Sequence, residues 1–112
     1  MTIPNVGTLS WRCAHQPGSE YRFATTFISE GATDRVSYSL EGGGHEIRTL
    51  QPGQALATPL TTSTSHSWHV TQGIEPYTTQ LTISALFTRN SFGDCLNPEI
   101  DVSRIRKSHA AP

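Results

Sequence analysis

Apolar and polar residues alternate with a period of two along most of the chain. Leu9, Trp11 and Cys13 fall on one parity, with Ser10 and Arg12 on the other. Side chains of an extended strand point alternately to opposite faces, so this run predicts a strand with one covered face. His15-Gln-Pro-Gly-Ser19 breaks it. A second run, Tyr21 to Ile28, sets Tyr21, Phe23 and Phe27 against Ala24 and Ile28, a pattern that suits a strand covered on both sides. The third, Arg35 to Glu41, is cleaner: Val36, Tyr38 and Leu40 inward, Arg35, Ser37, Ser39 and Glu41 outward.

Turn chemistry separates the next elements. Gly42-Gly43-Gly44 predicts a turn into a strand from Glu46 to Leu50. Gln51-Pro52-Gly53 predicts another, because Pro presets φ and Gly permits positive φ. Leu56, Thr58 and Leu60 then share a face, followed by the polar tract Thr61 to Ser65. A short strand is expected around Ser67 to Thr71, carrying Trp68 and Val70 and closed by Gly73-Ile-Glu-Pro76. The longest runs from Tyr77 to Thr88, with Thr79, Leu81, Ile83, Ala85 and Phe87 inward and Gln80, Thr82 and Ser84 outward. Arg89 to Gly93 reads as a turn, and after Pro98 a last run places Ile100 and Val102 together.

Seven to eight short strands, with turn signals every eight to twelve residues, point to an all-β fold: an antiparallel, immunoglobulin-like β-sandwich. Sustained helical periodicity is missing, so negligible helix is expected. Residues 1–112 read as a single domain, with 1–6 and 104–112 expected to fray.

Composition narrows the function classes. Twelve Ser and fifteen Thr in 112 residues suit a β-rich protein with a polar surface. Eight Lys plus Arg against nine Asp plus Glu give a net charge of −1. Nucleic acid is therefore excluded as the expected partner, since phosphate binding needs a clustered basic surface. No stretch approaches the roughly 20 apolar residues of a transmembrane helix.

The two cysteines, Cys13 and Cys95, lack the CxxC spacing of a redox or zinc site and are expected to form one disulfide. In the chain-entropy model a bridge closing so long a loop contributes roughly 4–5 kcal/mol. Such a bond persists in oxidising compartments, which places the expected location outside the cytoplasm. Met1 is followed by Thr-Ile-Pro rather than by a basic and then an apolar segment, so a leader or anchor is expected to have preceded this sequence. The expected bridge joins strand one to the region before the last strand. In antibody domains, by contrast, the bond links two central strands beside a Trp.

Ser10-Trp11-Arg12-Cys13, Ala32-Thr33-Asp34-Arg35-Val36, Gln51-Pro52-Gly53-Gln54, Gln72-Gly73-Ile74-Glu75-Pro76 and the late cysteine span most of the chain. Together they resemble small secreted or membrane-anchored single-domain β-rich proteins of actinobacteria. That resemblance implies an envelope or secreted setting and carries no assigned activity. Seven Arg against one Lys fit a GC-rich genome. The enediyne-binding apoproteins share the length and architecture but normally carry two disulfides, and this chain is not placed among them.

Candidate chemistry is sparse. There is no GxSxG elbow, Walker loop or HExxH. The glycine triplet has no following helix to offer a phosphate and reads as a hairpin turn. His66 and His69 form H-x-x-H, but in a strand residues three apart point to opposite sides, so a metal site would need His66 in a loop and His15 or His45 brought in by folding. Two surface histidines are the simpler expectation. A hydrolase could combine Ser65 or Ser67 with His66 or His69 and Asp34 or Asp94, yet no spacing orders them. The nine acids stand singly, without a close pair for glycoside cleavage.

Recognition has better candidates. Trp68 between His66 and His69, with Tyr77 across the following turn, could form a ligand-binding platform for a sugar ring or an apolar side chain. The alternative is that Trp68 fills the core. The sequence thus leads to an extracytoplasmic binding module of the cell envelope, without cofactor, metal or catalytic residues. It would present polar loops, 61–67 and 89–98, or a sheet edge, to a protein or glycan partner, with self-association through an edge as a second route. The enzyme alternative is a small secreted hydrolase, or a metal-binding protein, using His66 and His69 with a nearby Ser or Asp.

Overall fold

Two of the inner strands form where one parity carries apolar side chains. The computed structural model describes residues 1–14, 21–30, 33–74, 77–88 and 97–107, and among these there is no helix. The described strands are β1 (Thr2–Ile3), β2 (Gly7–Ala14), β3 (Arg22–Ser29), β4 (Asp34–Leu40), β5 (His45–Leu50), β6 (Ala55–Ala57), β7 (Ser65–Ile74), β8 (Tyr77–Leu86) and β9 (Glu99–Lys107). They build two antiparallel sheets, one ordered β1-β2-β3-β6 and the other β5-β4-β7-β8-β9. Here these are sheets A and B.

The sheets face each other across the core. Sheet A contributes Leu9, Phe27 and Leu56; sheet B contributes Val36, Tyr38, Trp68, Val70, Leu81 and Ile83. At one end Phe23 stacks on Phe87, ring centroids 4.7 Å apart, with Ala85 beside them and Trp11, Cys13 and Ile100 packed around. Burial on β4 and β8 follows the expected parities, except that Thr78 is buried and Thr79 only half-buried. The outer face of β3, with Ala24, Thr26 and Ile28, is half-buried rather than covered by another layer. Its inner face is mixed: Phe23 and Phe27 alternate with fully buried Thr25 and Ser29.

The turns obey their residues. Gly53 has φ 87°, and Gln54 N–H donates to the Gln51 carbonyl at 3.0 Å, the closure expected of a turn with Pro second and Gly third. Gly7 matters for a different reason. It is buried where β2 crosses β3, and a Cβ there would overlap the Ile28 carbonyl oxygen and lie 2.6 Å from the Phe27 ring. Only a glycine lets the two backbones come this close.

Several expectations are corrected. Nine described strands replace seven to eight, because β1 is too short to show any alternation. Residues 1–6 include β1. Ile3 and Val6 are buried in the core, and Leu9 N–H donates to the Met1 carbonyl at 2.9 Å. At the other end, residues 104–107 continue β9, paired with β8 as far as Lys107 opposite Thr78. Residues 108–112 lie outside the described set. Strand β7 begins at Ser65 instead of Ser67, because a Ser/Thr tract pairs in a ladder as readily as it turns. Cys13 is half-buried on β2, whereas Cys95, its expected partner, lies outside the described residues together with His15, Asp94 and most of the 89–98 loop.

Candidate functional site

The inner face of β7, the central strand of sheet B, reads His66, Trp68, Val70, all fully buried. Trp68 fills the core, the simpler of the two expectations for it. Its ring lies 5.2 Å from that of Tyr38 on the neighbouring strand and 6.2 Å from that of Phe27 across the sandwich. With no exposed surface it offers no stacking platform. A buried indole still needs an acceptor for its N–H, and Trp68 Nε1 donates to Thr25 Oγ1 at 2.7 Å.

His66 completes the same network. The expectation of two surface histidines holds for His69, which is exposed, but not for His66. Extending β7 by two residues places His66 on Trp68's parity and therefore inside. Nδ1 of His66 lies 3.0 Å from Thr25 Oγ1, and Nε2 lies 3.0 Å from the Ser63 carbonyl oxygen. A carbonyl can only accept, so Nε2 carries the proton. Thr25 Oγ1 accepts from Trp68 and gives its own proton to Nδ1. Every polar atom is paired by the neutral imidazole. Burial lowers the pKa of His66, and the bond to the Ser63 carbonyl only partly opposes the shift. The edge of the Phe87 ring closes the site, with centroids 5.1 Å apart.

The remaining candidates are dispersed. His66 and His69 stand on opposite faces of β7, as an extended strand demands, and His69 Nδ1 lies 3.3 Å from Thr82 Oγ1. His45 is exposed on β5, opposite Ser39. Among the described residues no three His, Cys, Asp or Glu side chains gather as metal ligands. Tyr77 opens β8 opposite Ile74, six positions along β7 from Trp68, which at a strand's rise is about 20 Å. Asp34 pairs with Gln72 and Leu40 with His66, so Asp34 stands about 20 Å from the histidine it would have to orient. Among the described residues Asp34 and His66 do not come together as a hydrolytic pair, and Asp94 lies outside those residues.

Asp34 has its own setting, missed in the sequence. It is fully buried at the start of β4, where the Ser29 hydroxyl donates to Oδ2 at 2.7 Å. Among the described residues Oδ1 has no hydrogen-bond partner. Burial raises the pKa of this carboxyl, against the lowering influence of the Ser29 hydroxyl and of the Gln72 side chain on the neighbouring strand. Thr25 and Ser29 were also missed. The usable signal was a hydroxyl on the apolar parity of β3, since a buried hydroxyl requires a partner.

One loop is held in place by this network. Thr61 exchanges backbone bonds with Phe23 at 2.7 and 2.9 Å, Phe87 N–H donates to the Thr64 carbonyl at 2.8 Å, and His66 holds the Ser63 carbonyl from within. Ser63 N–H donates to Thr61 Oγ1 at 3.1 Å, tightening the bend. Beside the Gly42–Gly43 turn, this loop lines an open depression of about 330 Å³ formed by Glu41, Gly42, Gly43 and Thr61 to Thr64. Its walls are hydroxyls, backbone and one carboxylate. Such a surface can hydrogen-bond a ligand but cannot stack one. No protein-family model, curated protein or solved structure matches the chain.

Proposed function

We propose that this chain is an immunoglobulin-like, extracytoplasmic binding module of the cell envelope, non-catalytic, which presents the 61–64 loop and the Gly42–Gly44 turn to a protein or glycan partner. The observation that carries the reading is the pinning of the loop from three sides, by Phe23, Phe87 and His66. A loop already ordered in the free protein spares the entropy that a mobile one loses on binding. The buried histidine that a hydrolase could use, His66, is spent on structure, which favours recognition over catalysis. The inward Trp68 against Tyr38, between two antiparallel sheets, supports the immunoglobulin-like assignment.

A Cys13–Cys95 bridge and an oxidising location belong to the same proposal. Cys13, the one described cysteine, is not a free thiol, which supports them. Intact mass before and after reduction and alkylation tests the bridge: an unreduced chain lighter by two hydrogens is expected, and two free thiols would remove the argument for export. For the loop, amide chemical shifts of the labelled protein are followed while defined cell-wall oligosaccharides and synthetic envelope peptides are added. Perturbations confined to residues 41–43 and 61–64, lost in Thr62→Lys, are expected. Perturbations centred elsewhere would overturn the assignment.

A further inference from the structure

The loop that lines the depression is short and fixed at both ends. Thr61 exchanges backbone bonds with Phe23, while Ser65 opens β7 opposite Leu86 and accepts from Glu41 N–H at 3.1 Å. Between those ends the Ser63 carbonyl turns inward and accepts from His66 Nε2–H at 3.0 Å. The two nitrogens of that ring stand in different surroundings. Nδ1 meets Thr25 Oγ1 in the buried interior, whereas the contact of Nε2 with Ser63 is only partly buried. On the Nε2 side the 62–64 segment lies between the imidazole and solvent: Ser63 is half-buried, and Thr62 and Thr64 are exposed.

The closed site suits a neutral ring. A proton added at Nδ1 turns an acceptor into a donor aimed at Thr25 Oγ1, which already accepts from Trp68 Nε1 at 2.7 Å, and the Thr25 hydroxyl proton loses its acceptor. The neighbours do not compensate the charge. Around His66 stand Thr25 of β3, Leu40 of β4, Ala85 of β8 with Phe87 just beyond it, Trp68 of its own strand and Ser63 of the loop, and none of these ionises. Among the described residues, the ionisable groups next to them along the chain are Tyr38, opposite Trp68, and Glu41, which follows Leu40 and lines the depression. Burial raises the pKa of the Tyr38 phenol, so it stays neutral in acid. A buried charge without a partner is relieved by hydration. Lifting Ser63 hydrates the ring at the smallest cost in structure: it breaks one partly buried bond, leaves both sheets paired and opens the ring toward the depression that includes the Glu41 carboxylate.

We propose that His66 is a proton-operated latch on the 61–64 loop, closed while the imidazole is neutral and opened when Nδ1 takes up a proton. As regulation this rests on the loop-binding reading, a partner held at neutral pH being released in acid; the latch itself does not. The direction follows from linkage. The closed state resists protonation below the ordinary 6.5, so each pH unit below that value favours the open loop by at most about tenfold, the limit for a single proton.

The test follows the full chain by NMR, without any ligand, between pH 7.5 and 5. Ring carbon shifts of His66 report its protonation. Amide shifts of Thr62 to Thr64, with hydrogen-exchange protection of the Phe87 N–H that donates to the Thr64 carbonyl, report the loop. Ring and loop should move together with one midpoint below 6.5. Phe87 protection, corrected for intrinsic exchange, should fall by up to about tenfold per pH unit, while Val36 and Val70 within sheet B keep theirs. His66→Gln should hold the loop shifts constant across the range, and His69→Gln should leave the transition in place. If His66→Gln does not fold, the shared midpoint in the parent chain decides by itself. A His66 ring that stays neutral down to pH 5, loop shifts that stay flat while it titrates, a transition that survives in His66→Gln, or loss of Val36 and Val70 protection together with that of Phe87 would each overturn the proposal. Because no partner is added, failure of the loop to bind an oligosaccharide or peptide does not enter these readouts.

Discussion

The hydroxyl of Thr25 on sheet A accepts the indole proton of Trp68 on sheet B at 2.7 Å, and the same oxygen lies 3.0 Å from Nδ1 of His66. One threonine therefore joins the two layers through two aromatic side chains at the centre of the molecule. It is also tied to the residue that follows β6: Thr25 N–H donates to Thr58 Oγ1 at 3.0 Å, and Thr58 N–H donates to the Thr25 carbonyl at 2.9 Å. A hydrophobic interface alone would tolerate small slips between the sheets, whereas these bonds fix one relative position.

Thr25→Val keeps the shape and removes the hydroxyl. The Trp68 N–H and the His66 Nδ1 are then both buried without a partner, and each such group costs about 1–3 kcal/mol. A loss of about 2–5 kcal/mol in urea unfolding is expected, with Thr25→Ser far milder. If Thr25→Val is as stable as the parent chain, the network has no energetic weight.

Protonation of His66 disrupts the same network, because a proton on Nδ1 would point at an oxygen already accepting from Trp68. Its folded pKa lies below the ordinary value of 6.5. Below pH 6.5 the unfolded chain takes up a proton that the folded chain refuses, so the stability present above 6.5 is lost as pH falls toward the folded value. The slope is at most about 1.4 kcal/mol per pH unit. Between pH 7.5 and 5 the urea midpoint of the parent chain should lose ground relative to that of His66→Gln, which has nothing to titrate at position 66.

Asp34 works with the opposite sign. Its carboxyl is held above the usual 3.8 by burial, so the folded state favours the protonated form. Stability is greatest below 3.8 and declines as pH rises from there through the raised folded pKa. At neutral pH the ionised group is a cost, with Oδ1 lacking a partner among the described residues. Asp34→Asn should retain the bond from the Ser29 hydroxyl, be at least as stable as the parent at pH 7, and lose the decline between pH 4 and 7. A marked loss of stability at pH 7 would show that the charge is satisfied after all.

The two-layer β-architecture was legible in the sequence because β4 and the second half of β8 each bury one parity, Val36-Tyr38-Leu40 and Leu81-Ile83-Ala85, and alternation of that kind has one reading. What failed to show were contributions that alternation does not encode. Two residues of β1 contain no period, yet Ile3 is buried. Thr25 and Asp34 sit on inward parities as polar residues, and only the partner across the sandwich explains why. His66 looked like loop because Ser and Thr surround it. Its burial follows from starting β7 at Ser65, a boundary set by pairing with Leu86 and not by local propensity.

Gly7 gives a backbone test of how closely β2 and β3 approach. Its Cβ position overlaps the Ile28 carbonyl oxygen, a main-chain atom held in the ladder, and lies against the buried Phe27 ring. Neither can yield cheaply. Gly7→Ala should therefore destabilise by about 2–4 kcal/mol, although alanine in an open strand position normally gains from reduced unfolded-state entropy. Thermal unfolding of the parent and the variant measures the difference, and an equal or higher midpoint would mean that β2 can move away from β3.

Fluorescence separates the two tryptophans. Trp68 has no exposed surface and packs against Tyr38 and Phe27, whereas Trp11 is only half-buried at the margin of the second cluster. In Trp11→Phe the remaining emission comes from Trp68 and should be blue-shifted and nearly insensitive to acrylamide, becoming quenchable only on unfolding. Because the Trp68 indole is bonded to Thr25, combining Trp11→Phe with Thr25→Val should shift that emission before any global loss of structure, as the freed N–H seeks another acceptor. If Trp68 in Trp11→Phe is instead quenched as readily as an exposed indole, the ring faces solvent and the stacking platform returns as the better account of this strand.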